Sequence, residues 1–156
     1  MNSLVPGDND TQAKTGLISI LLVEDSTTDA ELTREVLREA KVRSSIQIVR
    51  DGEAALAFLR GRQPYTANPP PDLVLLDLNL PGLDGREVLA EIKSDENLKH
   101  IPVVVLSASP ADEDVASAYA NQANAYIRKP TDLDGFVECV RLLEAFWLSV
   151  VRLPPK

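Results

Sequence analysis

The sequence predicts a doubly wound α/β domain, in which five parallel strands alternate with five helices. Three observations predict it. The strand candidates are short, unbroken apolar runs, the mark of strands buried on both faces. Each is followed by a segment with apolar residues at helical spacing. The 156 residues, 44% of them hydrophobic, suffice for one domain with a core and not for two. Right-handed crossovers then place helices on both faces of the sheet.

Residues 1–16 (MNSLVPGDNDTQAKTG) are polar and carry no hydrophobic period, so a flexible N-terminal arm is expected. Ile18 to Val23 reads as the first strand, stopped by Glu24-Asp25-Ser26. Ser26 with Asp29 has the spacing of a capping box, and the helix it opens is expected to run to about Lys41, with Leu32, Val36, Leu37 and Ala40 on one face. Ile46–Val49 is a second strand, and Gly52–Arg60 a helix presenting Ala55, Leu56 and Leu59. No helix persists in the proline-rich loop from Gly61 to Pro71. Leu73–Leu76 is the third strand, ending at Asp77, and a helix from about Gly85 to Ser94 turns Val88, Leu89 and Ile92 inward. Pro102–Leu106 is a fourth strand, ending at Ser107. Asp112–Asn121 is an alanine-rich helix whose only large apolar residues are Val115 and Tyr119, so weak packing is expected of it. Ala125–Arg128 is a brief fifth strand, and a final helix opens near Thr131 or Asp132.

Composition excludes several functions. Sixteen Lys and Arg stand against 24 Asp and Glu, a net charge of −8, which suits a nucleic-acid backbone poorly. One cysteine, Cys139, permits neither an internal disulfide nor a cysteine-built zinc site, and one histidine, His100, removes multi-histidine metal sites. No run approaches a membrane span and no signal-peptide pattern opens the chain, so a cytoplasmic protein is expected.

In doubly wound folds, ligands bind outside the carboxyl ends of the strands, near the switch in strand order. Those ends carry Glu24 and Asp25, then Asp77, Ser107, and Lys129 with Pro130. Three carboxylates brought together repel unless a cation offsets them, and an all-oxygen set suits Mg²⁺. A carboxylate can attack a phosphoryl group, provided it lies in line and the charge on the equatorial oxygens is cancelled. The Lys129 ammonium and the metal would cancel it, with a hydrogen bond from Ser107. Taken singly, these residues are ordinary: Glu24-Asp25 can start a turn, Ser107 can cap a helix, Asn79, Pro81 and Gly82 are turn formers, and Lys129 alone would be a solvated charge.

As a set, Glu24-Asp25, Leu76-Asp77-Leu78-Asn79-Leu80-Pro81-Gly82, Val105-Leu106-Ser107-Ala108 and Arg128-Lys129-Pro130 resemble the motifs of the two-component receiver domain, of the CheY-like superfamily and flavodoxin-like fold. The resemblance covers residues 17–147. It implies that Asp77 accepts the phosphoryl group. It implies that Asp25, Asp77 and the backbone carbonyl of Asn79 ligate Mg²⁺, with Glu24 acting through water. Ser107 would be the switch hydroxyl, Lys129 the phosphate's partner and Tyr126 the switch aromatic. The Lys129–Pro130 bond would be cis, and Asn79 and Ser109 would tune dephosphorylation. Ser107 stands where the family often has threonine, so its hydroxyl rotates more freely. Asp84–Lys93 and the Phe146–Pro154 tail (FWLSVVRLP) further resemble small response regulators that partner phytochrome histidine kinases, which implies a kinase of that type. Tyr126 keeps a second reading, a half-buried aromatic without a switching role.

The last helix places Leu133, Phe136, Val137, Val140, Leu143 and Trp147 at spacings of three and four, while Phe146, Leu148, Val150, Val151 and Leu153 extend beyond one stripe. A second surface in need of cover suggests a homodimer, with Phe136, Val140, Leu143, Phe146, Trp147, Leu148, Val151 and Leu153 on the partner face and residues 148–156 as an apolar tail. The same face could dock a kinase. The expectation is a stand-alone phosphorylation switch with no DNA-binding module; its downstream target is not legible. A phosphatase that forms an aspartyl phosphate is the rival reading, but it needs an acid two residues after the nucleophile, and Asn79 cannot transfer a proton. A dimeric pseudo-receiver scaffold is a third reading, at odds with the intact acidic set.

Overall fold

The computed structural model describes residues 17–40 and 43–155. The arm at residues 1–16 lies outside the described residues. Five strands, β1 (Ile18–Val23), β2 (Ser44–Val49), β3 (Leu73–Leu76), β4 (Val103–Ser107) and β5 (Ala125–Arg128), alternate with helices α1 (Thr27–Arg38), α2 (Gly52–Leu59), α3 (Gly85–Ser94), α4 (Asp112–Ala120) and α5 (Leu133–Leu143). All neighbouring strands pair in parallel, in the order β2-β1-β3-β4-β5. The order reverses at β1 and β3, so the crevice at their carboxyl ends is where the switch-point rule puts a ligand.

Along each strand the side chains alternate between two separate cores. Leu21, Val23, Val74, Leu76, Val103 and Val105 face α2 and α3, among Leu56, Val88, Leu89 and Ile92. Ile20, Leu22, Leu73, Leu75 and Val104 face α1 and α5, among Leu37, Phe136, Val140, Leu143 and Leu148. This double burial is why β1, β3 and β4 read as unbroken apolar runs.

Three boundaries differ from the expectation. β2 starts at Ser44, because Ser44 and Ser45 pair with Ile18 and Ser19 although they are polar. α1 ends at Arg38, where the Ala40 amide donates to the Leu37 carbonyl in a tighter turn; Lys41 lies outside the described residues. α5 does not give way to a tail at residue 148: it continues as a wider helix over Glu144–Val150, closed by the Val151 amide on the Phe146 carbonyl five residues back. Leu148 belongs to the core, so the boundary between 147 and 148 falls inside a packed helix.

The expected partner face changes accordingly. Phe136, Val140, Leu143 and Leu148 are buried in the chain's own core and present nothing to a second copy. Trp147, Val151 and Leu153 are half-buried. On this last helix the exposed large apolar side chains are Leu133, Leu142, Phe146 and Val150. No helix among the described residues is long and apolar enough to cross a membrane.

Candidate functional site

The strand-end residues are set in place by backbone bonds that continue the ladder past the strands. The Glu24 amide donates to Val49 O at 3.0 Å, the Asp77 amide to Val23 O at 3.0 Å and the Lys129 amide to Ser107 O at 2.6 Å. Hydrophobic strands thus deliver polar side chains to one edge, where Glu24 (2% exposed), Asp77 (8%), Ser107 (0%) and Lys129 (8%) are the buried polar group. Burying a charge is costly unless it is paired, and here every charge is paired.

Lys129 Nζ donates to Glu24 Oε1 at 2.8 Å, to Asp29 Oδ2 at 3.0 Å and to Asp77 Oδ2 at 3.3 Å. Burial pushes the Glu24 carboxyl up to about 7; the Lys129 hydrogen bond and charge pull it down, and the adjoining Asp77 carboxylate adds to the rise. For Lys129, burial works against the charged form, but the Glu24 hydrogen bond, the Glu24 and Asp77 charges and the Asp29 bond more than reverse it, so its pKa lies above the ordinary lysine range. The ammonium therefore stays charged. Three carboxylates around one cation leave an excess of negative charge, the condition that favours a further hard cation.

Asp77 Oδ1 accepts the Asn79 amide at 3.0 Å, which fixes the carboxylate's orientation, while the Asn79 side chain is exposed. The Ser107 hydroxyl accepts the Ser109 amide at 3.2 Å. Tyr126 is half-buried against the α2–α3 core, and its hydroxyl donates to the Ser109 carbonyl at 2.9 Å. Gly85, the first residue of α3, sits directly on the acceptor's backbone: a Cβ there would come 2.5 Å from Leu78 Cα and would collide with the Asp77 carbonyl oxygen.

Of the expected residues, the structure gathers Glu24, Asp77, Ser107 and Lys129 at one edge, with Pro130, Tyr126 and Ser109 beside them. Asp25 is exposed at the rim, and among the described residues no group of three His, Cys, Asp or Glu side chains is placed to hold a metal ion. Lys129 pairs with Glu24 and Asp77, two members of the expected metal set. The Lys129–Pro130 bond is trans, since Gln63–Pro64 is the cis bond among the described residues; trans is the favoured state of such a bond.

Asp29 is the site residue that sequence reasoning missed. Its spacing from Ser26 fits the second half of a capping box, yet only the Ser26 side chain caps, accepting the Asp29 amide at 3.1 Å. The Ser26 amide goes instead to Glu24 Oε2 at 3.1 Å, because the Asp29 carboxylate is turned toward Lys129. A carboxylate in the first turn of the helix that follows a strand-end acid was the available signal. A cleft of about 650 Å³ lined by Leu59, Arg62, Leu98, His100, Pro102 and Pro154 lies at the opposite edge of the sheet and takes no part in this chemistry.

Comparisons with known proteins agree with this fold. The model of the response regulator receiver domain matches residues 20–141. The chain is 49% identical over 135 residues to response regulator Rcp1 of Synechocystis sp., covering 86% of this chain and 92% of that protein. The solved structure of the Mn²⁺-bound form of Rcp1 matches with a TM-score of 0.86 at 48% identity, over 88% of this chain and 99% of that one. That of a phosphorylated cyanobacterial phytochrome response regulator, RcpA, matches with the same TM-score, identity and coverage.

Proposed function

The chain belongs to the response regulator receiver domain family, and on that premise we propose that it is a phosphoryl-accepting switch, charged on Asp77 by a sensor histidine kinase of phytochrome type. The observation that carries the proposal is the buried Lys129 ammonium bonded to Asp77, Glu24 and Asp29 at the switch point of the sheet. In the transfer, an Asp77 oxygen attacks phosphorus in line, the phosphorus–nitrogen bond of the donor histidine breaks, and its electron pair returns to the ring nitrogen. Lys129 exchanges a carboxylate for a phosphoryl oxygen as its partner. Ser107 turns its hydroxyl to a second oxygen. Little covalent chemistry is asked of the protein beyond positioning and charge cancellation.

The all-oxygen donors fit Mg²⁺, and the negative excess around Lys129 is charge that a second cation would neutralise. Glu24, Asp25, Asp77 and the Asn79 carbonyl would hold it, and the similar protein Rcp1 has a Mn²⁺-bound form. When bound, the ion supplies Lewis-acid stabilisation of the phosphoryl oxygens. The kinase class is supported by the likeness to RcpA, a phytochrome response regulator, and to AtBRR, a bacteriophytochrome response regulator 38% identical with a TM-score of 0.67. For the homodimer, the exposed stripe of Leu142, Phe146 and Val150 is the proposed contact, in place of the buried residues.

The test is incubation with a small phosphodonor and Mg²⁺. Stoichiometric labelling that needs the metal and is lost in Asp77→Asn is expected; multiple turnover on small phosphate esters would overturn the switch in favour of a phosphatase. Mass spectrometry with sizing before and after labelling tests the dimer, and monomers in both states would end it.

A further inference from the structure

α4 is held to the rest of the protein in an unusual way. It buries Ala118 alone, and its N-cap, Ala111, makes no side-chain bond; Tyr119 is half exposed. Polar contacts secure its first turn instead. One oxygen of Asp114 accepts Arg86 Nη2 at 2.8 Å and the other accepts the Ser109 hydroxyl. Arg86 comes from the first turn of α3, where its Nη1 also bonds Asp84, the N-cap of that helix, at 3.1 Å and 3.2 Å. Ser109 is in the β4–α4 loop. Its amide is on Ser107 Oγ and its carbonyl on the Tyr126 hydroxyl. An unbroken line of contacts therefore runs from Ser107, through Ser109 and Asp114, to Arg86 and the head of α3.

We propose that Arg86, Asp114 and Ser109 form a clamp that holds α4 and the β4–α4 loop in the arrangement preceding phosphoryl transfer, and so limits how readily Asp77 is phosphorylated. The inference rests on the phosphoryl-acceptor reading and adds the regulation of that site. Turning the Ser107 hydroxyl toward a phosphoryl oxygen moves the atom that accepts the Ser109 amide. Ser109 cannot follow freely, because its hydroxyl is on Asp114 and its carbonyl on Tyr126. The apolar packing of α4 offers little resistance of its own, so the polar clamp supplies most of it. Loosening the clamp enlarges the competent population before any phosphoryl group arrives. Arg86 and Asp114 touch no reacting atom and are positioning residues. Ser109 carries a structural duty here that precedes any tuning of dephosphorylation.

The experiment uses the full chain with phosphoramidate and Mg²⁺, reading the initial rate of Asp77 labelling by mass spectrometry. Amide exchange across residues 109–120 is measured without phosphodonor. Arg86→Ala and the near-isosteric Asp114→Asn are expected to label about five-fold faster, the scale set by a partly exposed ion pair, with faster exchange in α4. Arg86→Lys, which keeps the charge, is expected to restore the original rate. A purely structural role would loosen exchange and leave the rate alone. Unchanged or slower labelling in Arg86→Ala and Asp114→Asn overturns the clamp, as does an Arg86→Lys variant as fast as Arg86→Ala. A wild-type chain that does not label at Asp77 overturns the acceptor reading itself, an outcome separate from these.

Discussion

Gly85→Ala puts the seating of α3 on Asp77 to the test. The added methyl carbon would stand 2.5 Å from Leu78 Cα and 2.8 Å from Leu78 O, and against the Asp77 carbonyl oxygen, where ordinary contact begins at 3.4 Å. All three are backbone atoms, so no side chain can swing aside. The Gly85 amide also donates to Leu78 O at 3.0 Å, which ties α3 to the loop it would have to leave. Opening about 1 Å at so constrained a place is overpacking, which costs about 1–3 kcal/mol or more, while alanine in a helix returns at most about 1 kcal/mol. The net expectation is a loss of about 2 kcal/mol, a fall in melting temperature of about 4–8 °C for a chain of this size. Because the displaced backbone is that of Asp77, labelling by phosphoramidate should slow as well. Thermal melts by circular dichroism and the labelling rate read the two effects. A melting temperature equal to or above the wild type, with unchanged labelling, would refute the reasoning, because the helix would then not bear on the acceptor's backbone.

Three further outcomes follow from the same structure. Lys129→Met leaves the buried Glu24 without its cation, a loss of roughly 3 kcal/mol in urea unfolding, together with loss of labelling; Glu24 protonation limits the cost, since its carboxyl is already raised. Phe136→Ala, in the α1–α5 core, should cost about 3–5 kcal/mol by the same melts. The Asp95 carboxyl is held below its ordinary value by the Asn97 amide first and by Arg60. A depressed carboxyl stabilises above its unfolded pKa and stops doing so as pH falls through the folded one. The stability difference between wild type and Asp95→Asn should therefore be present at pH 7 and close below about pH 4.

How much was legible in the sequence depended on whether the cause was local. β1, β3 and β4 could be read because burial on both faces demands apolar runs, and α3 because Val88, Leu89 and Ile92 recur at helical spacing. β2 was cut short since Ser44 and Ser45 pair with β1 without an apolar side chain to announce it. The strand-end residues Glu24, Asp77, Ser107 and Lys129 were found because strand order alone brings them together. Asp29 was missed because its partner, Lys129, is a hundred positions away, while a nearer reading, the capping box, fitted its spacing. The partner face was overdrawn because hydrophobicity marks both core and contact, and only packing separated Phe136 and Val140 from Phe146 and Val150. Asp114 lies in no motif, and Arg86, although inside the Asp84–Lys93 segment, gave no sign of its pairing, since its partner stands 28 positions away on another helix.

The sheet works as a bulkhead between two apolar compartments. α4, Tyr126 and the clamp lie on one side; α1, α5 and the stripe ending at Val150 lie on the other, with no shared filling. Substitutions in the two compartments should then add almost independently, unless they meet at the rim, where Lys129 reaches both Asp29 of α1 and Asp77. News travelling from one helical layer to the other has that narrow gateway to pass through, and the gateway is the place where phosphorus would arrive.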